Sequence, residues 1–241
     1  MICCYVSKTG NREINEDSFI CADAADRTMC IVADGLGGHG QGEVASAIAV
    51  KTMEKVFLES ADFPLDECLD RAILKAQEAI LAEQERMHLR EAMKTTVVAL
   101  CGDKKQVCWA HVGDSRLYAF LNNKVKIRTL DHSVPQMLVL SREIPERKIR
   151  NHPQRNLLLR VLGVEWDRPK HEVSEMKPLE EYQAFLLCSD GFWELIHEWE
   201  MCRLLRKSKS PNEWLDKMVE IVENNGKKKT MDNYTAIAVW M

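Results

Sequence analysis

Apolar positions open the chain in short, β-rich runs, ICCYVS, SFICAD and TMCIVAD, separated by polar turns such as ADAADR. Runs of this length bounded by turn residues predict strands. From Glu43 to about Glu59 the period changes to three and four. PLDECLDRAILKAQEAILAEQERM repeats that period after a break at Pro64, so two amphipathic helices in succession are expected. Strand signals return as TTVVALCG, QVCWAHVG, RLYAFLN and KVKIRTL, with Asn122 and Asn123 marking a hairpin turn. From Asp131 to about Gly163 the pattern becomes polar and helical only in places. AFLLCSD then reads as a buried strand, ELIHEWEMCRLLRKS and PNEWLDKMVEIVENNG as helices, and YTAIAVW as a last strand. With no repeat, low-complexity tract or linker, the expectation is one α+β domain over residues 1–241.

A chain of 241 residues with 46% apolar and 29% charged residues can bury a core without metal or disulfide help. A net charge of -4 spread over both signs offers no basic face for nucleic acid and no polybasic membrane anchor. The nine cysteines form no C-x-x-C pair and mostly sit inside apolar runs, where a thiol acts as a small hydrophobe; a reduced, cytoplasmic protein is expected. The N-terminal MICCYVSKTG has no signal-peptide pattern, and no apolar run reaches membrane-spanning length. The KKK run at Lys227–Lys229 reads as a solvated loop.

VADGLGGHGQGEVAS (Val32–Ser46) poses the main chemical question, because Gly35, Gly37 and Gly40 fit the glycine spacing of a dinucleotide-binding turn. That reading needs an acid at the end of a second strand about 20 residues on. Here that distance is still helical, and Asp34 would stand against the pyrophosphate. The pattern that does recur is an acid at a strand end. Asp34 follows MCIVA, Asp114 follows QVCWAHVG, Asp190 follows AFLLCS, Asp232 precedes the last strand, and Glu16 and Asp17 precede SFICA. Any one of these is an ordinary turn residue. Gathered on one edge of a sheet they would repel each other unless a cation neutralised them, and an all-oxygen set selects Mg²⁺ or Mn²⁺ over zinc.

In this order the acidic strand ends resemble the bacterial branch of the metal-dependent PPM (type 2C) serine/threonine protein phosphatases. The resemblance runs through R-x-x-N-E-D-S at Arg12–Ser18, V-A-D-G-x-G-G-H-x-x-G-E-x-A-S at Val32–Ser46, and Thr95-Thr96. It continues through V-G-D-S-R at Val112–Arg116, T-x-D-H-S at Thr129–Ser133, H-P-x-R-N at His152–Asn156, L-x-S-D-G ending at Gly191, and D-N-x-T at Asp232–Thr235. It implies a four-layer α-β-β-α sandwich, two antiparallel sheets flanked by helical pairs, with a two-metal centre at one end. By the same resemblance Asp34, the Gly35 carbonyl, Asp190 and Asp232 hold two Mn²⁺ or Mg²⁺ ions, with Glu16 and Asp17 completing the surrounding shell. Asp114, with Asp190, takes a third, weaker ion; Arg12 clamps the substrate phosphate; and residues from about 131 to 163 form a flap. The implied reaction is hydrolysis of phosphoserine and phosphothreonine by in-line attack of a metal-bridging hydroxide, with no covalent intermediate. The implied partners are phosphorylated proteins and a cognate serine/threonine kinase, and a monomer is expected.

The chain departs from the family pattern at three places. Leu36 stands where eukaryotic members often carry a His proposed to protonate the leaving group, so His39 becomes the alternative donor. Lys94 replaces a Gly before the Thr pair, and Ser141-Arg142 occupies a flap stretch where Gly is common. His111 and His132 are read as structural hydrogen-bonders and Cys188 as core. Two other readings share this scaffold: a pseudophosphatase that binds phosphoproteins without turnover, and a phosphatase dedicated to one regulatory protein.

Overall fold

The computed structural model describes residues 1–37, 41–89, 92–227 and 230–241. The chain opens with β1 (Ile2–Lys8), β2 (Asp17–Ala24) and β3 (Arg27–Asp34), then the helices α1 (Gly42–Glu59) and α2 (Leu65–Met87). β4 (Val97–Gly102), β5 (Gln106–Val112), β6 (Arg116–Leu121) and β7 (Lys124–Arg128) follow, then a short α3 (Val134–Leu140) and a 3-10 turn at Glu146–Asn151. Two-residue strands β8 (Glu172–Val173) and β9 (Lys177–Pro178) lead to β10 (Ala184–Cys188) and the single-turn α4 (Asp190–Trp193). The chain ends with α5 (Glu198–Lys207), α6 (Pro211–Gly226) and β11 (Tyr234–Trp240).

Two antiparallel sheets result. One runs β1-β11-β10-β6-β7; the other runs β2-β3-β4-β5, with β8 and β9 both pairing to β5. Strand periodicity sorts the side chains into three apolar layers. On β3, Met29, Ile31 and Ala33 face α1 and α2, together with Val97, Ala99, Cys108 and Ala110. Their neighbours Cys30 and Val32 face inward against Phe185, Leu187, Ile237 and Val239 of the other sheet. The outer face of that second sheet, with Tyr118, Phe120, Leu186 and Ala238, packs on α5 and α6 through Met201, Leu205, Trp214 and Met218. Strands buried on both faces read as nearly continuous apolar runs, which is why AFLLC and YTAIAVW lack a polar alternation. The α+β four-layer sandwich expected from the sequence is the architecture observed.

Local chemistry explains the boundaries. Pro64 caps α2 with its fixed φ, and α1 ends where the Ser60 N–H returns to the Phe57 carbonyl. Asn122 and Asn123 both have positive φ (51° and 57°), the type I′ geometry that matches strand twist. The helix expected over ELIHEWEMCRLLRKS starts later, at Glu198. His197 and Glu200 there form a capping box, and Glu194 to Ile196 belong to the turn leaving α4. No described helix is long and apolar enough to cross a membrane.

Candidate active site

The antiparallel register of β2 and β3 sets Asp17 directly opposite Asp34. β11 pairs antiparallel with β10, so Asp190, just past the end of β10, and Asp232, just before β11, come to the same edge. Asp114 follows β5 through Gly113, whose φ of +101° favours glycine and turns the chain sharply. Glu16 is placed beside Asp34 because the Gly35 N–H donates to the Glu16 carbonyl at 3.1 Å. That approach leaves no room for a side chain at 35: a Cβ there would stand 2.3 Å from the Gly42 carbonyl oxygen.

These carboxyls feel one another. Burial, and then the charges of Asp17, Asp190, Asp114 and Asp232, push the Asp34 carboxyl well above its usual range. Asp114 is raised by burial and by Asp190, and Asp190 by burial and by Asp232, the latter partly relieved by a hydrogen bond with Asp34. Burial also raises Asp17, whose Oδ1 is enclosed without any hydrogen-bond partner. Glu16 is raised by burial and by Glu43. Crowded carboxyls with raised pKa and an orphaned buried oxygen fit a site built for hard cations, which would hold every acid ionised. Arg12 lies at the rim with its side chain 56% exposed, and its Nη2 donates to Asp232 Oδ2 at 2.6 Å.

Hydrogen bonds from polar neighbours hold the acids in place. Ser189 Oγ donates to Asp17 Oδ2 (2.8 Å) and accepts from the Thr235 N–H (2.9 Å). Asn233 accepts from the Glu16 N–H (2.8 Å) and donates to the carbonyls of Thr9 (2.8 Å) and Ile14 (2.9 Å), joining the Arg12–Glu16 loop to β11. The Thr96 N–H (2.8 Å) and Thr95 Oγ1 (2.9 Å) donate to the Asp34 carbonyl, and Thr96 Oγ1 lies 2.7 Å from Ser115 Oγ beside Asp114. Thr95, Thr96, Ser189 and Asn233 all stand inside the sequence motifs, where their pattern gave them no role. The residue spacing alone could not reveal partners as distant as Glu16 is from Asn233.

His111 and His132 stack with ring centroids 4.6 Å apart. His111 Nε2 donates to the Leu130 carbonyl (2.8 Å). The Gly113 N–H donates to His132 Nδ1 (3.2 Å), leaving its Nε2–H for Glu172 (3.1 Å). Both rings therefore serve as structural hydrogen-bonders, as expected. Cys188 is fully buried. Beyond the acids, Leu36, Leu157, Leu159 and Trp166 line a groove of about 360 Å³ that also meets Lys94, Arg160 and Lys170. The Leu36 N–H donates to the Lys94 carbonyl at 2.9 Å. His39, Gly40 and the end of the KKK run, Lys228 and Lys229, lie outside the described residues.

Residues 6–234 match the family profile described as Protein phosphatase 2C. The chain is similar to the serine/threonine phosphatase stp of Listeria monocytogenes, 34% identical over 235 residues that span 95% of this chain and 90% of that protein. The crystal structure of serine/threonine phosphatase Stp1 from Staphylococcus aureus superposes with a TM-score of 0.89 at 28% identity, covering 99% of this chain and 94% of the other. The catalytic domain of the serine threonine protein phosphatase PstP, solved in complex with 2 manganese ions, shares the fold at a TM-score of 0.82 and 24% identity, covering 99% of this chain and 97% of that one.

Proposed function

The chain belongs to the protein phosphatase 2C family and is a serine/threonine protein phosphatase, and we propose that Asp34, the Gly35 carbonyl, Asp190 and Asp232 hold its two core divalent cations. Glu16 and Asp17 complete the shell around them, and Asp114 with Asp190 offers a third, weaker position. The carrying observation is the convergence of six acidic side chains from five chain segments, with Glu16, Asp17, Asp34, Asp114 and Asp190 raised by burial and by one another, around a network that runs through Ser189, Thr96 and Asn233. When bound, the cations balance phosphoryl charge and make water a nucleophile at neutral pH. Mn²⁺ is supported as one suitable ion by the manganese-bound PstP domain, and the all-oxygen donor set suits Mg²⁺ equally.

The chain's own residues bind and orient. Arg12, anchored by one Nη on Asp232, keeps its remaining N–H groups for the phosphate oxygens, a match to its planar fork. The groove beside Leu36 receives the apolar flank of the substrate, with residues 131–163 as its outer wall. The Asp17 carboxyl, fixed by Ser189, holds the acidic floor rigid rather than meeting substrate. Working substrates are phosphorylated proteins. The marks of a serine/threonine kinase, a monomeric state and a cytoplasmic location complete the proposal, the last supported by nine unpaired cysteines.

The test is phosphate release from phosphoserine and phosphothreonine peptides with Mn²⁺, repeated in EDTA. Asp34→Asn and Asp190→Asn are each expected to lower kcat by about 10³-fold or more while the protein stays folded, as loss of a group stabilising the transition state does. Unchanged turnover in either variant removes that residue from the metal site. Metal binding by the native chain without turnover would instead favour a binding module.

A further inference from the structure

Away from the acidic edge, three cysteines from three strands and both sheets meet in the inter-sheet layer. Cys21 on β2 is the direct register partner of Cys30 on β3, so their side chains leave the sheet on the same face. Cys3, on the edge strand of the opposite sheet, reaches across to bring its Sγ 3.6 Å from Cys30 Sγ. All three sulfurs lie within 4.8 Å of one another. Cys30 is buried, whereas Cys3 and Cys21 are half-buried, so the group is enclosed on the core side and reachable from solvent.

We propose that Cys3, Cys21 and Cys30 form a three-thiolate site for a soft monovalent cation, Cu(I). Three sulfurs around one ion at bond lengths of about 2.3 Å stand about 4.0 Å apart. The 3.6 Å pair and the 4.8 Å limit bracket that spacing, so small side-chain rotations suffice. Thiolates select soft ions, and neither an imidazole nor a carboxylate belongs to the group among the described residues, which disfavours Mg²⁺ and Mn²⁺. Zinc favours four ligands, whereas a closed set of three suits Cu(I). Hydrogen bonding with Cys21 and Cys30 holds the Cys3 sulfur below the ordinary thiol range, so one thiolate is already favoured. Binding expels the two remaining thiol protons and forms three Cu–S bonds with no change of oxidation state. The site is separate from the acidic edge: Cys21 lies four residues beyond Asp17 and Cys30 four before Asp34, about 13 Å of extended strand.

An anaerobic titration of the reduced full chain with Cu(I) held by bicinchoninate, read by loss of the visible colour of that complex, tests the site. The native chain is expected to withdraw one equivalent. Cys3→Ser and Cys21→Ala are each expected to weaken uptake by about tenfold or more, whereas Cys4→Ser and Cys202→Ser, half-buried thiols outside the group, leave it intact. Buried Cys30 is left alone so that folding is not at stake, and Mn²⁺-dependent phosphate release verifies that each variant is folded. No uptake by the native chain, or undiminished uptake by the Cys3→Ser/Cys21→Ala double variant, overturns the proposal and leaves the phosphatase reading untouched.

Discussion

Arg116 and Asp131 form a bidentate pair at 2.8 and 2.7 Å with side chains 3% and 1% exposed, and the Arg116 guanidinium lies 3.4 Å over the Trp193 ring. Trp193 in turn donates its indole N–H to the Asp114 carbonyl at 3.0 Å, so the pair stands directly behind a candidate metal ligand. Removing one member strands a buried charge. Asp131→Ala is expected to cost about 3–5 kcal/mol in urea denaturation. Arg116→Met/Asp131→Leu is expected to recover much of that loss, because an apolar pair of similar volume carries no desolvation penalty. A loss below about 1 kcal/mol for Asp131→Ala would mean that water reaches the pair. Both residues sat in quoted motifs, VGDSR and TLDHS, yet nothing in either motif says that they touch. The place of Asp34, Asp190 and Asp232 on the acidic edge was legible because each stands beside Gly or Asn where an apolar run ends or, for Asp232, is about to begin. Ser189 was not, because its function is a hydrogen bond to Asp17 across the sandwich.

At the scale of elements, the stacked imidazoles join β5 to the start of the 131–163 segment and to β8. β8 and β9 are two residues each, and they owe their existence to pairing with β5 rather than to any pattern of their own, so the sequence could not announce them. The long strands and both helical pairs were readable because burial on one or two faces writes a period into the chain. The imidazoles give this junction a pH dependence. Burial, and then His111, depress His132 from 6.5 to about 4; burial also lowers His111, and the facing charges are Glu172, Asp131 and Arg160. The unfolded chain thus takes up protons that the folded chain refuses. Their contribution to stability is complete above about pH 6.5 and is lost as pH falls toward 4. His111→Gln/His132→Asn is expected to flatten the fall of Tm across that window, with the introduced amide oxygen replacing the imidazole Nδ1 as acceptor for the Gly113 N–H. An unchanged slope would assign the acid sensitivity to other groups.

Across the whole molecule, the site exists only once the two ends of the chain have met. Arg12 pairs with Asp232, the Asn11 N–H donates to the Met231 carbonyl at 3.0 Å, and Glu16 hangs from Asn233, all over separations of more than two hundred residues. The acids gathered there oppose folding as they ionise. Asp17, Asp34, Asp114 and Asp190 all have folded pKa values raised above the usual carboxylate range, so in metal-free protein their contribution is present at low pH and lost as pH rises through those raised values. Divalent cations held by these acids, as proposed, would reverse that loss, and would do so more strongly as fewer protons compete. At a cation concentration about 100-fold above Kd the gain is about 2.7 kcal/mol, or about 5–10 °C in Tm for a chain of this size. Scanning calorimetry with Mn²⁺ against EDTA at pH 5.5 and 8 is expected to show the larger gain at pH 8. Asp34→Asn and Asp190→Asn are expected to shrink that gain and to raise the Tm of the metal-free protein, since each removes one repelling charge. A cation gain that is equal at both pH values, or that survives in both variants, would place the ions somewhere other than this acidic edge.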